Sequence, residues 1–223
     1  MGNYNSRRLN SRLEPMTDRQ GDLMVAIDEY DCVVVTGPAG TGKTYVTASK
    51  AAEMYADRDI QKIVITRAHE PVGRDIGFLP GDLAEKTEPW ALPVLSVLEE
   101  KLGGGIIKCD MKETKKRPAN IEVVPLAMIR GRSFDNTFMI VDEAQNLTLH
   151  ELKALLTRQG KWSKLVLNGD ISQIDNGATG LSELTRIIRH HRLPVPIVNF
   201  TIEDVVRSGI TKMWLETFYK EGI

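Results

Sequence analysis

The sequence predicts an α/β fold in which a mainly parallel sheet carries helices on both faces of a single domain. Short apolar runs rich in β-branched residues predict strands, and segments with helical periodicity lie between them. This alternation is typical of a parallel sheet, because each connection between parallel strands has to cross one face of the sheet. The 223 residues, 42% of them hydrophobic, have the composition of an ordinary globular domain.

The predicted elements begin with a helix near Thr17, a capping residue that has Gln20 three positions later. Strands are predicted at residues 32–36, 62–66, 121–125, 137–142 and 164–168, with a weaker sixth strand at 197–200. Further helices are predicted at residues 43–56, 91–102, 148–158, 180–191 and 203–220. We expect a flexible N-terminal segment at residues 1–16, a folded domain at 17–223, and a mobile surface insertion at 103–118.

Composition excludes several classes of protein. Cys32 and Cys109 are too few for a disulfide framework, and no Cys/His cluster has the spacing of zinc ligands. No apolar run has the length of a membrane span, and the first residues lack the apolar core of a secretory signal, so we expect a cytoplasmic protein without membrane contact. With 29 basic and 30 acidic side chains, any contact with nucleic acid would come from a local patch.

The strongest motif is the run Gly-Pro-Ala-Gly-Thr-Gly-Lys-Thr at residues 37–44, which matches G-x-x-x-x-G-K-[ST] between a strand and a helix. Its glycines allow backbone N–H groups to surround a phosphate at the start of the helix. Lys43 would bring a positive charge to the β and γ phosphates, and the Thr44 hydroxyl is suited to bind Mg²⁺. The residues expected to bind nucleotide here are Gly37, Pro38, Ala39, Gly40, Thr41, Gly42, Lys43, Thr44 and Tyr45.

Two carboxylates end the apolar strand at 137–142. Asp142 is expected to hold Mg²⁺ or its water, and Glu143 to act as the base that accepts a proton from attacking water. A further apolar strand leads to Gln173, which could sense the γ-phosphate or orient the water. The carboxyl ends of parallel strands meet at one edge of the sheet. Asp142, Glu143 and Gln173 should therefore lie near residues 37–44, which we call the phosphate loop.

The sequence resembles the PhoH-like family, which are P-loop ATPases related to the nucleotide-binding core of superfamily 1 helicases. The resemblance spans about residues 20–209, and its motifs lie at 37–44, 77–83, 125–132, 142–146, 156–158, 169–175 and 203–207. It implies a RecA-like sheet, binding and hydrolysis of ATP with Mg²⁺, and a link to RNA metabolism or phosphate stress. Ala68 stands where the family often has proline.

The resemblance implies roles for two more residues. Related helicases place a glutamine before the phosphate loop that pairs with adenine, and Gln20 has this position; as an alternative, Gln20 only completes a helix cap. Arg207, in the Asp-Val-Val-Arg segment, is the first candidate for an arginine finger, with Arg67, Arg130, Arg132 and Arg158 as others. Because the chain has length for one RecA-like domain, we expect a homo-oligomer, a dimer or a ring such as a hexamer, in which the finger acts in trans.

Other functions stay open at this point. A small-molecule kinase shares the phosphate loop, and a nucleotide-gated binding or assembly module would need no base. Single-stranded RNA or another nucleic acid is a candidate partner. Trp90, Trp162 and Trp214 could stack on bases or pack in a core or interface, and the basic residues between 108 and 117 could contact phosphates or form a solvated loop.

Overall fold

The computed structural model of the protein describes residues 9–68, 83–114, 118–171 and 179–221. Its helices are α1 (Asp18–Glu29), α2 (Lys43–Asp57), α3 (Leu83–Leu102), α4 (Gly104–Asp110), α5 (Leu149–Leu156), α6 (Gly180–His191) and α7 (Gly209–Glu221). Its strands are β1 (Cys32–Thr36), β2 (Lys62–Arg67), β3 (Ile121–Val123), β4 (Thr137–Asp142), β5 (Lys164–Gly169) and β6 (Ile197–Asn199).

The six strands form one parallel sheet in the order β3-β2-β4-β5-β1-β6. The predicted fold class is therefore confirmed, and the weaker sixth strand is present at the edge. Thr36 pairs with Gly169, and Arg67 pairs with Asp142. This register brings the carboxyl ends of the four central strands to the same edge of the sheet.

Helices cover both faces because alternate strand residues point to opposite sides. On one face, Val33, Val35 and Ile140 pack in a cluster with residues of α1 to α4. On the other face, Val34 and Val141 pack in a cluster with residues of α5 and α6. Burial on both sides explains why the central strands consist of continuous apolar runs.

Several element boundaries differ from prediction. β3 ends at Val123, two residues before Pro125, which has no N–H to donate to the sheet. α3 begins at Leu83 although Pro89, in its first half, favours a later start. α7 begins only at Gly209, because the N–H of Val206 bonds to Gly40 instead of continuing a helix from residue 203.

The stretch expected as a surface insertion contains α4. Ile107 of α4 is buried in the core, and the Tyr55 hydroxyl donates to Asp110 Oδ2 at 2.6 Å. Residues 115–117 of the basic run lie outside the described residues.

Residues 9–13 of the N-terminal segment lie against α2 and α3. The Asn10 N–H donates to the Lys101 carbonyl at 2.8 Å, and the Leu13 N–H donates to Glu53 Oε1 at 2.6 Å. Leu13 itself is buried in the core. These contacts hold at least this part of the segment against the domain.

Across the described ranges, the structure contains no helix with both the length and the apolar character needed to cross a membrane.

The contact between Leu13 and Glu53 yields a stability prediction. The Glu53 side chain is 7% exposed and also lies 3.5 Å from the Lys50 ammonium. Replacing Glu53 by Ala should lower the free energy of unfolding by about 2–3 kcal/mol, because a buried N–H and a buried cation lose a partner. Urea denaturation would measure this change.

A matched control breaks an exposed contact between the same two elements. Arg12 and Asp57 form an ion pair at 2.9 Å with side chains 65% and 43% exposed. Arg12→Ala should cost less than about 1 kcal/mol, since solvent screens this pair. Equal losses of unfolding free energy in Glu53→Ala and Arg12→Ala would contradict the claim that burial makes the Glu53 contacts the stronger ones.

Candidate nucleotide-binding site

A cavity of about 580 Å³ opens at the carboxyl edge of the sheet. It is bordered by the loop after β1, by Asp142 and Glu143 at the end of β4, and by Asn168 to Asp170 at the end of β5. The parallel register brings together three segments that are far apart in sequence. This is the edge at which the sequence analysis expects a ligand.

The loop after β1 is tightly curved, and two of its glycines have no room for a side chain. Gly37 has φ of 135°, and a methyl group there would lie 2.7 Å from Phe200 Cβ. Gly42 has φ of 87°, and a methyl group there would lie 2.7 Å from Gln20 Nε2. Gly42 is also the N-cap of α2, so the loop leads directly into the positive end of a 15-residue helix.

Lys43 is the first residue of α2 and directly follows this loop. Its Nζ donates to the carbonyls of Gly37 at 2.6 Å and Pro38 at 2.8 Å, which folds the side chain back over the loop. Burial lowers the pKa of Lys43, while nearby carboxylates, first that of Asp170, act in the opposite direction. An anion bound in the loop would offset this cost of burying a cation.

Thr44 and Asp142 join the loop helix to β4. The Thr44 hydroxyl donates to Asp142 Oδ1 at 3.1 Å, and Asp142 is 6% exposed. Burial raises the pKa of Asp142, and the negative charge of Glu143 adds to this shift. A hydroxyl and a carboxylate placed side by side are the oxygen ligands that Mg²⁺ uses when phosphates and waters complete its shell.

The hydroxyl of Thr44 and the carboxylate of Asp142 fit Mg²⁺ bound together with a phosphate ligand. Within residues 9–68, 83–114, 118–171 and 179–221, no group of three or more His, Cys, Asp or Glu side chains could hold a metal ion by itself.

Glu143 is held by two neighbours. Its backbone is in the left-handed region with φ of 54°, directly after β4. Arg67 Nη2 lies 3.2 Å from Glu143 Oε1, and Gln145 Nε2 donates to Glu143 Oε2 at 2.7 Å. Both carboxylate oxygens thus have a donor that fixes their direction toward the cavity edge.

Gln145 is a site residue that sequence reasoning missed. It is 3% exposed, and its Oε1 accepts the N–H of Asp170 at 3.0 Å while its Nε2 contacts Glu143. It therefore links the end of β4 to the end of β5. Its signal in the sequence is its place in the Asp-Glu-Ala-Gln-Asn motif. From the sequence alone, Arg67 is named only as a candidate arginine finger.

Gln20 lines the cavity, but both ends of its amide are engaged. Its Nε2 donates to the Thr41 carbonyl at 3.0 Å, and its Oε1 accepts the Met16 N–H at 2.9 Å. The Gln20 N–H also donates to Thr17 Oγ1, so the helix cap exists. In this geometry Gln20 stabilises the phosphate loop through its hydrogen bond to Thr41. An adenine contact would require one of the two amide bonds to open.

Arg207 lies in the cavity of its own chain. The Val206 N–H donates to the Gly40 carbonyl at 3.0 Å, and a methyl group at Gly40 would lie 3.0 Å from Arg207 Cγ. This position differs from the expectation that Arg207 reaches the nucleotide of a neighbouring subunit. The physical reason is the backbone bond that ties its segment to the phosphate loop of the same chain.

The remaining candidates are dispersed. Tyr45 lines the cavity, and its hydroxyl donates to Glu100 Oε1 at 2.9 Å. Arg132 pairs with Glu122 at 2.6 Å, away from the cavity. Trp162 is 75% exposed and Trp214 52% exposed. Gln173, the predicted sensor, lies outside the described residues.

Comparison with known proteins identifies relatives over most of the chain. Residues 12–219 match the model of the family described as PhoH-like protein. The chain is 38% identical to Protein PhoH of Escherichia coli (strain K12) over 205 residues, which cover 90% of this chain and 56% of that protein. It is 35% identical to the PhoH-like protein of Bacillus subtilis (strain 168) over 224 residues, 98% of this chain and 67% of that protein.

Solved structures with low identity share the fold. The large terminase from a thermophilic bacteriophage aligns with a TM-score of 0.60 at 13% identity, over 92% of this chain and 51% of that chain. The UvsW helicase from bacteriophage T4 aligns with a TM-score of 0.51 at 14% identity, over 86% of this chain and 62% of that chain. The sheet is thus RecA-like, and the family match over residues 12–219 shows that this chain belongs to the PhoH-like protein family.

Proposed function

We propose that this chain binds Mg-ATP in the cavity at the carboxyl edge of the sheet and hydrolyses it by direct attack of water. One observation carries the proposal: a phosphate loop, a Thr44–Asp142 pair and an oriented Glu143 border the same cavity. The family's P-loop fold supports an ATPase-type function, and the similar terminase has also been crystallised with ADP.

The roles of the residues follow from their chemistry. The backbone N–H groups of the loop and the Lys43 ammonium would bind the phosphates, and Thr44 and Asp142 would hold Mg²⁺. When bound, Mg²⁺ supplies positive charge that offsets the charge developing on the phosphate oxygens. Glu143 would accept the proton of the attacking water, and Arg207 is close enough to the loop to contact phosphates in cis.

Fixed orientation is the feature of Glu143 that favours hydrolysis over simple binding. Arg67 and Gln145 each donate to a different carboxylate oxygen. Each oxygen keeps lone-pair capacity for a water, since an ionised carboxylate accepts about four hydrogen bonds. A base that is positioned before the substrate arrives needs little reorganisation during proton transfer.

Glu143→Gln tests the proposed base. Turnover of ATP, measured with no acceptor molecule present, should fall by about 100-fold or more, because the amide cannot accept the proton. Binding of Mg-ADP, measured by calorimetry, should stay close to wild type, since the side chain keeps its shape.

The matched control is Glu29→Gln, an exposed glutamate at the end of α1 that does not border the cavity. It should leave both quantities unchanged. Unchanged hydrolysis in Glu143→Gln would reject the base, and a strict requirement for a phosphate acceptor in the wild type would favour a small-molecule kinase.

Asp142→Asn tests whether the metal-binding position carries a stability cost. Because folding raises the pKa of Asp142, its ionisation destabilises the ligand-free protein as the pH rises through that pKa. The variant, which keeps an acceptor for Thr44, should therefore melt at a higher temperature than wild type at pH 7. This gain in melting temperature over wild type should shrink as the pH falls, because the wild-type Asp142 carboxylate then takes up a proton.

The same Asp142→Asn variant should lose the Mg²⁺-dependent part of its nucleotide affinity. Thermal melting across pH and calorimetry with and without Mg²⁺ measure the two effects. A lower melting temperature of the variant at neutral pH would contradict the claim that ionised Asp142 destabilises the ligand-free protein.

The wider role that we propose is that of a cytoplasmic, homo-oligomeric ATPase in RNA metabolism or phosphate-stress physiology. The family resemblance supports this proposal, as does the fold shared with a helicase and a terminase. In a ring such as a hexamer, exposed Arg130 is among the residues left to act in trans, since Arg207 lies beside its own loop. The chain spans only about half the length of its Escherichia coli relative, so these roles concern the whole protein.

Single-stranded RNA should stimulate ATP hydrolysis at low salt if nucleic acid is the partner. The stimulation should decline steeply as salt increases, because each protein–phosphate contact releases counterions. The ATPase rate with and without RNA, across salt concentrations, measures this. Equal rates at low salt would exclude the RNA role and leave the nucleotide site unaffected.

A further inference from the structure

Asn168, near the end of β5, carries a buried polar group that the proposed mechanism does not use. The residue is 1% exposed, and its Oδ1 accepts the Thr47 hydroxyl at 3.1 Å. Its Nδ2 is also buried and has no hydrogen-bond partner among the described residues. An unsatisfied buried donor lowers stability, so its presence at the wall of the cavity indicates that it gains a partner when a ligand binds there.

The sheet register places this donor next to Asp142. Val141 of β4 pairs with Leu167 of β5, so the next residues, Asp142 and Asn168, are neighbours on adjacent strands. Adjacent strands lie about 4.8 Å apart, which is within reach of two short side chains on one face.

Both side chains lie on the α2 face of the sheet. Asp142 accepts a hydrogen bond from Thr44 in the first turn of α2, and Asn168 accepts one from Thr47 one turn later. The Thr47 hydroxyl orients the amide of Asn168 through its hydrogen bond to Oδ1. The Thr44 hydroxyl likewise bonds to one oxygen of the Asp142 carboxylate, Oδ1. The other oxygen, Oδ2, receives no hydrogen bond from the part of the chain that the structure describes.

We propose that Asn168 is a positioning residue for Asp142, and that its free amide N–H donates to Oδ2 of this carboxylate when nucleotide and Mg²⁺ bind. The inference rests on the proposed function of the cavity. Carboxylates that bind a metal are themselves commonly held by hydrogen bonds from a second layer of residues. A small side-chain rotation would form the bond, which would fix the direction in which Asp142 faces the metal.

The test measures how much Mg²⁺ strengthens the binding of ADP, by calorimetry with and without the metal. In Asn168→Ala this Mg²⁺-dependent gain should fall about 10–100-fold, the range typical for residues that orient metal ligands. Affinity for ADP without metal should stay near wild type. The melting temperature of the ligand-free variant should change little, because the lost bond to Thr47 and the removed orphan donor act in opposite directions.

Asn146→Ala is the matched control. Asn146 also has a buried Nδ2 without a partner among the described residues, but it lines a separate groove beside Thr179 and Gly180. The same substitution there should leave the Mg²⁺-dependent gain unchanged. Equal losses for the two variants would overturn the specific assignment to Asn168.

Thr47→Val keeps the proposal testable if Asn168→Ala does not fold. It preserves the amide but removes the hydroxyl that orients it, so the Mg²⁺-dependent gain should fall by less than in Asn168→Ala. A wild-type gain in every folded variant, with or without a lower melting temperature, would reject the inference and leave the nucleotide site intact. A wild-type protein that binds no ADP in Mg²⁺ would overturn both proposals.

Discussion

The hydrogen bond between Thr44 and Asp142 connects the two parts of the molecule on which its proposed function depends. Thr44 belongs to the first turn of α2, whose start is shaped by the phosphate loop, and Asp142 ends a strand that is buried along its whole length. The bond therefore relates the position of the loop to a rigid strand. Residues of a site built on such elements are held more closely than residues on a mobile loop.

The cavity concentrates groups whose ligand-free state is unfavourable. Burial lowers the pKa of Lys43 and raises that of Asp142, so each ionised side chain lies in surroundings that disfavour its charge. Asn168 Nδ2, which finds no hydrogen-bond partner among the described residues, adds an uncompensated buried donor. A triphosphate with its metal carries charges opposite to those of Lys43 and Asp142, so part of its binding free energy would come from offsetting the cost of burying these two groups.

The contacts of Glu143 show how the neighbouring strands act on the proposed base. Arg67 comes from β2, and Gln145 follows β4 and contacts the backbone after β5. A change at any of these strand ends would alter the direction of the carboxylate. The parallel arrangement thus makes the orientation of the proposed base depend on the ends of β2, β4 and β5.

The sequence by itself determined the parallel α/β fold and the phosphate loop. Runs of β-branched residues favour buried strands, and the positive φ angles of Gly37 and Gly42 are open to residues without a Cβ, so both features follow locally from residue type. Tertiary structure alone decided that Asn168 lies beside Asp142, that Gln145 contacts Glu143, and that Arg207 lies beside its own loop. These contacts depend on strand order, register and a backbone bond between distant segments, and no local pattern of residues specifies them.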